Sequence, residues 1–72
     1  MQVTAIYQGS EIGYGEGSSA VYAIEECLES IESIYIDTDL ASIELIFSDV
    51  GGSTYPKHAM ATDFYYRERE YF

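Results

Sequence analysis

Hydrophobic and polar residues alternate along residues 2–8, QVTAIYQ, which is the pattern of a strand with one buried face. The residues on the hydrophobic side are Val3, Ala5 and Tyr7. The Gly-Ser pair at residues 9–10 then offers a turn. Residues 11–17, EIGYGEG, predict a second strand, which three glycines weaken because glycine has no side chain to pack.

The alternation returns in residues 41–48, ASIELIFS, and predicts a strand with one buried face. The residues on that face are Ile43, Leu45 and Phe47, and Ile46 departs from the pattern. Residues 48–53 predict a turn. A last strand is predicted over residues 60–67, beyond Pro56, because proline disfavours a central strand.

Between these strands the period becomes helical, with hydrophobic residues at steps of three and four. These residues are Val21, Ile24, Leu28, Ile31 and Tyr35. Ser18 or Ser19 can cap the start of the helix. We place its end near residues 34–35, because Ile36 would fall on the polar side, and we expect a turn at residues 37–39.

The order β-β-α-β-β predicts an α+β fold, with a small antiparallel sheet and one helix packed on one face. With 72 residues the chain is expected to be a single domain, residues 1–72. We expect three helix residues, Ile24, Leu28 and Ile31, to be buried over three strand residues, Ile43, Leu45 and Phe47. Such a core is thin, and small domains are often stabilised by a partner. A second copy of the chain, in a homodimer, would be such a partner.

Charge is the strongest anomaly of the composition. The sequence has thirteen acidic and three basic residues, for a net charge of −10. Its hydrophobic residues make up 47% of the chain, which is enough for a folded domain. Nucleic acid and anionic membrane would repel this chain, so neither is expected to bind it directly. A basic protein surface is the natural complement. Solubility and adaptation to high salt are two plainer explanations of the acidity.

Residues for catalysis are scarce, and we expect no enzyme, cofactor or bound metal. Cys27 is the only cysteine and His58 the only histidine. Cys27 falls on the apolar side of the helix, which predicts a buried structural thiol. A single cysteine excludes an intrachain disulfide and fits a reducing compartment. Since no signal peptide or membrane span is visible, we expect a cytoplasmic protein.

Two short segments resemble ligand loops without completing their patterns. GYGEG, residues 13–17, lacks the lysine and hydroxyl of a phosphate loop, and its glutamate would repel phosphate. DTDLASIE, residues 37–44, begins like a calcium loop. It has serine where the EF-hand needs glycine, and its glutamate stands at the eighth position instead of the twelfth.

The predicted helix carries four acids and no base. Glu25, Glu29 and Glu32 form a narrow stripe, with Glu26 to its side. Like charges at i,i+4 destabilise a helix by a few tenths of a kcal/mol per pair, and acids near its C-terminus oppose the dipole. Their axial spacing is about 6 Å, which is comparable to successive phosphates along a nucleic-acid strand.

Other residues are expected to complete this surface. Asp37, Asp39 and Glu44 extend the acidic row beyond the helix. Tyr65 and Tyr66, in the aromatic segment at residues 63–72, are expected to supply apolar anchors, since tyrosine is favoured at protein interfaces.

Small size, high acidity and the acidic helix AIEECLESIES resemble the phage-encoded anti-defence proteins, which include anti-CRISPR proteins, restriction inhibitors and other DNA mimics. The resemblance implies a stoichiometric inhibitor in the host bacterial cytoplasm. Such an inhibitor blocks a basic nucleic-acid-binding surface of a defence complex by acidic mimicry.

Two alternatives stay open. The first is a general protein-interaction module, such as an antitoxin or immunity protein, which would use the same acids without imitating DNA. The second is a small ligand-binding or enzymatic domain built around the glycine segment and Cys27 with His58.

Overall fold

The computed structural model describes residues 1–49 and 57–64. These residues form four strands, two α-helices and a short 3₁₀ turn. In chain order they are β1 Gln2–Tyr7, β2 Ser10–Glu16, α1 Ala20–Ser30, α2 Ser33–Asp39, the 3₁₀ turn Leu40–Ser42, β3 Glu44–Ser48 and β4 His58–Met60. The strands make one antiparallel sheet in the order β2-β1-β3-β4. The predicted α+β class and antiparallel sheet are therefore confirmed, with two helices between β2 and β3 where one was predicted.

The β1–β2 hairpin closes through a two-residue loop, Gln8 and Gly9, and Ser10 already belongs to β2. Both loop residues have positive φ, 50° and 81°, as in tight turns whose twist matches that of paired strands. The register then shifts, because Ala5 pairs with Gly13 while Ile6 pairs with Glu11. Ile12 is the extra residue of a β-bulge in this edge strand.

One face of the sheet carries the hydrophobic core. Its largest fully buried side chains are Val3, Cys27, Ile43 and Leu45. Ile24, Leu28, Ile31 and Phe47 are also buried, so the apolar face predicted for β3 is confirmed, and the face predicted for the helix is confirmed at Ile24, Leu28 and Ile31. They belong to one hydrophobic cluster, although α1 lies mainly over β2 and β1 and not over β3. On β3, Phe47 packs edge-to-face against Phe64, with ring centroids 5.9 Å apart.

Helix α1 lies directly on the backbone of β2, and the glycines of β2 make this approach sterically possible. A Cβ atom added at Gly15 would overlap the Ala23 carbonyl oxygen and would lie 2.8 Å from the Cα of Cys27. One added at Gly13 would lie 2.6 Å from Ile31 Cγ1. The glycine run that weakens the strand prediction is therefore the surface on which the helix packs.

The predicted continuous helix to residues 34–35 is wrong, because α1 ends at Ser30 and α2 begins at Ser33. The Ser30 hydroxyl donates to the Cys27 carbonyl at 2.7 Å and accepts the Tyr14 N–H at 2.9 Å. Ile31 leaves the helix with extended backbone and turns into the core at 5% exposure. At the point where α1 ends, the Ser30 hydroxyl thus links the last turn of the helix to β2.

Several boundaries also differ from the prediction. Ser19 is the N-cap of α1, as expected, but Val21 is 47% exposed and does not belong to the apolar face. Residues 37–39 complete α2 instead of forming a turn. The last strand covers only His58–Met60, and residues 62–64 are helical.

The remainder of the predicted last strand, with Tyr65 and Tyr66, lies outside the described residues. Among the described helices, none has the length and apolar character needed to cross a membrane.

Candidate acidic interaction surface

Most acidic side chains in the described ranges have no counter-charge. Eleven of the thirteen acids lie there, and Lys57 is the only lysine or arginine among those residues. Four acids are used internally: Glu16, Asp39, Glu44 and Asp63. The other seven make no hydrogen bond or ion pair with another described residue: Glu11, Glu25, Glu26, Glu29, Glu32, Asp37 and Asp49. These seven carboxylates have no internal partner among the described residues.

Asp39, a predicted partner-binding residue, serves the fold. Its two carboxylate oxygens accept hydrogen bonds from the Tyr7 hydroxyl, at 2.8 Å, and from the Ser42 hydroxyl, at 2.9 Å. The Tyr7 ring also packs edge-to-face against Tyr35, with centroids 5.3 Å apart. The hydrogen bond to Asp39 is the largest cause of a raised pKa of Tyr7. Asp39 therefore joins α2 to the end of β1.

The predicted acidic stripe does not continue as one helical row. Glu25 and Glu29 lie one turn apart on α1, with Glu25 half-buried and Glu29 exposed. Glu32 follows the helix end in extended conformation, and the exposed Asp37 belongs to α2. The regular spacing of about 6 Å expected from a straight helix therefore ends at Glu29.

The structure groups a different set of acids around Tyr14 on β2. The pKa of Tyr14 is raised by desolvation of its ring, by its hydrogen bond to Glu16 at 3.1 Å, and by the negative charges of Glu16, Glu26 and Glu11. Glu26, which the sequence places beside the stripe, thus lies on the side of α1 that faces β2. This position follows from the packing of α1 on the β2 backbone.

An open cleft of about 410 Å³ extends this group towards α2. Glu11 and Tyr14 line it from β2, and Ser30, Glu32 and Tyr35 line it from the helices. We call the four carboxylates around Tyr14 and this cleft the acidic edge. Its members are Glu11, Glu16, Glu26 and Glu32.

The acidic edge has the chemistry to receive cations from a partner. Carboxylates accept short, charge-assisted hydrogen bonds from lysine and arginine, and an aromatic ring favours a cation over its face. Addition of a partner strand at this edge is disfavoured, because the Tyr14 N–H is already bonded to Ser30. At this edge, side chains and not the Tyr14 N–H are therefore the groups available for a contact.

The candidate Cys27/His58 dyad is not formed. Cys27 is fully buried beneath α1, and burial raises the pKa of its thiol from 9.0 to about 12. His58 lies on the other face of the sheet, with its Nε2 3.2 Å from Glu44 Oε2. Within the described ranges, no three His, Cys, Asp or Glu side chains are arranged to hold a metal ion. The calcium-like segment at residues 37–44 forms the end of α2, the 3₁₀ turn and the start of β3.

Sequence reasoning missed three members of this site, namely Glu11, Tyr14 and Glu16. Part of the signal was present, since Tyr14 and Glu16 alternate with Gly13 and Gly15 and so share the face opposite the helix. The position of Glu11 depends on the β-bulge, and no residue of this segment indicates a bulge in the sequence. No family model matches this chain, and no curated protein or solved structure matches it either.

Proposed function

We propose that this protein is a non-enzymatic inhibitor that occupies the basic nucleic-acid-binding surface of a bacterial defence complex, in the cytoplasm of the host cell. The observation that carries the proposal is the set of seven carboxylates without a partner, against Lys57 as the only lysine or arginine in the described ranges. Uncompensated charge of one sign costs stability through self-repulsion. A basic partner would relieve that repulsion on binding.

The acidic edge is the part of the surface best suited to this contact. Glu11 and Glu32 line the cleft from opposite elements, and Tyr14 offers a ring that is 40% exposed. Opposite charges would speed the encounter and fix its orientation. Because exposed charges are screened beyond about 8 Å at physiological ionic strength, binding would weaken as salt is added.

A plain interaction module, such as an antitoxin or immunity protein directed against a basic enzyme, is the second candidate. The break at residues 31–32 and the internal use of Asp39 favour it, since both interrupt the even row of charges that would imitate a phosphate backbone. The two candidates share the acidic edge. They differ in whether nucleic acid competes for the same surface of the partner.

Two charge-matched variants test the location of the contact. The edge variant carries Glu11→Gln, Glu26→Gln and Glu32→Gln. The helix variant carries Glu25→Gln, Glu29→Gln and Asp37→Asn, so each removes three negative charges from carboxylates without a described partner. Binding is measured by calorimetry at several salt concentrations, against a basic protein isolated from the heparin-binding fraction of a bacterial lysate.

We expect the edge variant to lose about tenfold in affinity, since three exposed ion pairs of about 0.5 kcal/mol each sum to that factor. The helix variant is expected to lose much less, and both should melt at or above the temperature of the wild type. A larger loss of affinity in the helix variant would show that the contact lies on the predicted stripe instead of the acidic edge. Unchanged affinity and unchanged salt dependence in both variants would refute acidic docking.

A further inference from the structure

The sheet has a second face that none of the described helices covers. Both helices and Phe64 pack on the core face, as the contacts of α1 with β2, of Tyr35 with Tyr7 and of Phe64 with Phe47 show. The strand register places alternate residues on the opposite side. We call this side the open sheet face. Its central row, read across the four strands, is Tyr14, Thr4, Ile46 and His58.

Hydrophobic side chains are concentrated on this face without contributing to the core. Ile6 and Met60 lie in the row next to Ile46, on either side of Glu44. Tyr14 is 40% exposed and Ile46 is 37% exposed, while Ile6 and Met60 are partly exposed. None of these four belongs to the hydrophobic cluster of the core or packs against it. An apolar group of this kind, rimmed by polar residues, is typical of protein interaction sites.

The rim of the open sheet face is acidic. Glu11 and Glu16 lie on it along β2, and Glu44 lies among the hydrophobic residues, next to His58. Glu11 and Glu16 belong both to this face and to the acidic edge, and the Tyr14 side chain that the acidic edge surrounds lies on the same face. The open sheet face and the acidic edge are therefore adjoining parts of one surface.

Size and charge together decide which occupant fits. Four strands about 4.8 Å apart, of which β4 has three residues and the others five or more, span at most roughly 19 by 17 Å over five residues, or about 300 Å². A stable interface buries about 800 Å² on each partner, so the open sheet face needs the adjoining acidic edge to reach that size. A second copy of this chain would bring acidic rims together in a protein of net charge −10. A partner with basic residues around an apolar centre avoids that repulsion.

We propose that the open sheet face is the apolar centre of the docking surface and receives a hydrophobic contact from a basic protein whose lysines or arginines meet the acidic edge. This inference rests on the proposed function and names the second half of the same interface. Apolar contacts then supply most of the affinity, while the carboxylates supply speed and orientation. The row formed by Tyr14, Thr4 and Ile46 is the centre of the contact.

A photo-reactive residue placed at position 46 or position 34 tests the proposal. Ile34 is the matched control, because it is an isoleucine that is 61% exposed but lies on α2, away from the open sheet face. Each full-length protein is irradiated with the heparin-binding fraction of a bacterial lysate and, separately, alone. Affinities of Ile46→Ser and Ile34→Ser for the captured protein are then compared. Ile46→Thr serves as a milder variant that keeps the β-branch.

The expected result is a cross-link from position 46, and not from position 34, to the same basic protein whose binding the edge variant weakens. Ile46→Ser should lose at least about tenfold in affinity, as central interface residues do, and Ile46→Thr should lose less. Ile34→Ser should stay within about twofold. All three variants should melt cooperatively, since both positions are already exposed to solvent.

Four outcomes would overturn the inference. Cross-links between copies would show that a second molecule covers the face, and cross-links within one chain would show that the chain covers it. If binding persists and depends on the edge acids but is unchanged by substitution at position 46, the open sheet face is not part of the contact. The proposed function would then still stand. If no basic protein binds the wild type at all, the proposed function and this inference are both wrong.

Discussion

Gly15 illustrates at the scale of one residue how this fold depends on the absence of a side chain. An added Cβ would collide with backbone atoms of Ala23 and Cys27, which cannot move without lifting α1 from β2. We expect Gly15→Ala to destabilise the protein by about 3 kcal/mol, the upper end of the usual cost of overpacking. In a domain this small, that loss can leave the chain unfolded. Thermal melting followed by circular dichroism measures the effect.

Gly9 provides the control for this prediction. It has a positive φ of 81° but nothing within 4 Å of an added Cβ, so Gly9→Ala introduces backbone strain without a collision. Its cost should be about 1 kcal/mol, which is the usual penalty for a left-handed residue with a side chain. Equal destabilisation by the two substitutions would show that close packing of α1 on β2 does not limit stability.

Cys27 carries a prediction about pH. Burial raises the pKa of its thiol from 9.0 to about 12, so the folded state keeps its proton where the unfolded state loses it. The resulting stability is fully present below pH 9 and is lost as pH rises towards 12. We expect the native thiol to resist alkylation at pH 8.5 and to react at once in denaturant. The mid-point of urea unfolding should fall between pH 9 and pH 11, and to a smaller extent in Cys27→Ala.

Rapid alkylation of the native protein at pH 8.5, without unfolding, would contradict the burial of this thiol. Tyr7 and Tyr14 also have raised pKa values and contribute to alkaline destabilisation in the same direction. The comparison with Cys27→Ala separates the thiol from the two phenols.

At the scale of elements, the end of α1 is the feature that organises the surface. The Ser30 hydroxyl bonds both the Cys27 carbonyl and the Tyr14 N–H, so it caps the helix and one position of the β2 edge at once. We expect Ser30→Ala to cost about 1–2 kcal/mol, since two hydrogen bonds are lost and the Tyr14 N–H is partly exposed to water. Amide hydrogen exchange at Tyr14 should accelerate more than at Thr4, its neighbour in β1.

Ser33→Ala is the matched control, because Ser33 is exposed, begins α2 and makes no hydrogen bond through its side chain to another described residue. Its stability and its Tyr14 exchange rate should match those of the wild type. Identical exchange at Tyr14 in the Ser30→Ala and Ser33→Ala variants would mean that Ser30 does not protect the edge strand.

The same elements show what the sequence can and cannot predict. Alternation of Ile43, Leu45 and Phe47 predicts the buried face of β3, and the helical period predicts burial of Ile24 and Leu28, because both patterns follow from local geometry. The end of α1 depends on a contact between Ser30 and a strand sixteen residues earlier. No glycine or proline marks this break, so a local pattern does not reveal it.

The candidate site shows the same division. Glu25, Glu26, Glu29 and Glu32 were all found from the charge of the helix, and Glu26 and Glu32 belong to the acidic edge. Their grouping with β2 follows from the close packing of α1 on glycine, which is a property of the assembled fold. Asp39 was chosen for its charge, and only the tertiary structure shows that its oxygens accept bonds from Tyr7 and Ser42.

At the scale of the whole molecule, one continuous surface combines carboxylates, a tyrosine and a sheet face that none of the described helices covers. The acidic edge carries Glu11, Glu16, Glu26 and Glu32, and the open sheet face adjoins it through Tyr14. With a net charge of −10, like charge would repel nucleic acid from this surface and opposite charge would attract a basic protein, which is the partner of the proposed function. Under the proposed function, the protein and a nucleic acid therefore compete for the same partner.

The most direct measurement of that claim is displacement of a fluorescent DNA duplex from the basic protein captured from the heparin-binding fraction. We expect the wild type to release the duplex, and we expect this release to saturate at a fixed ratio of protein to partner. The edge variant should need about tenfold more protein, and added salt should weaken the competition. The proposed function would be contradicted if the duplex stays bound while the wild type saturates the partner. Release of the duplex by strongly substoichiometric amounts of protein would also contradict it.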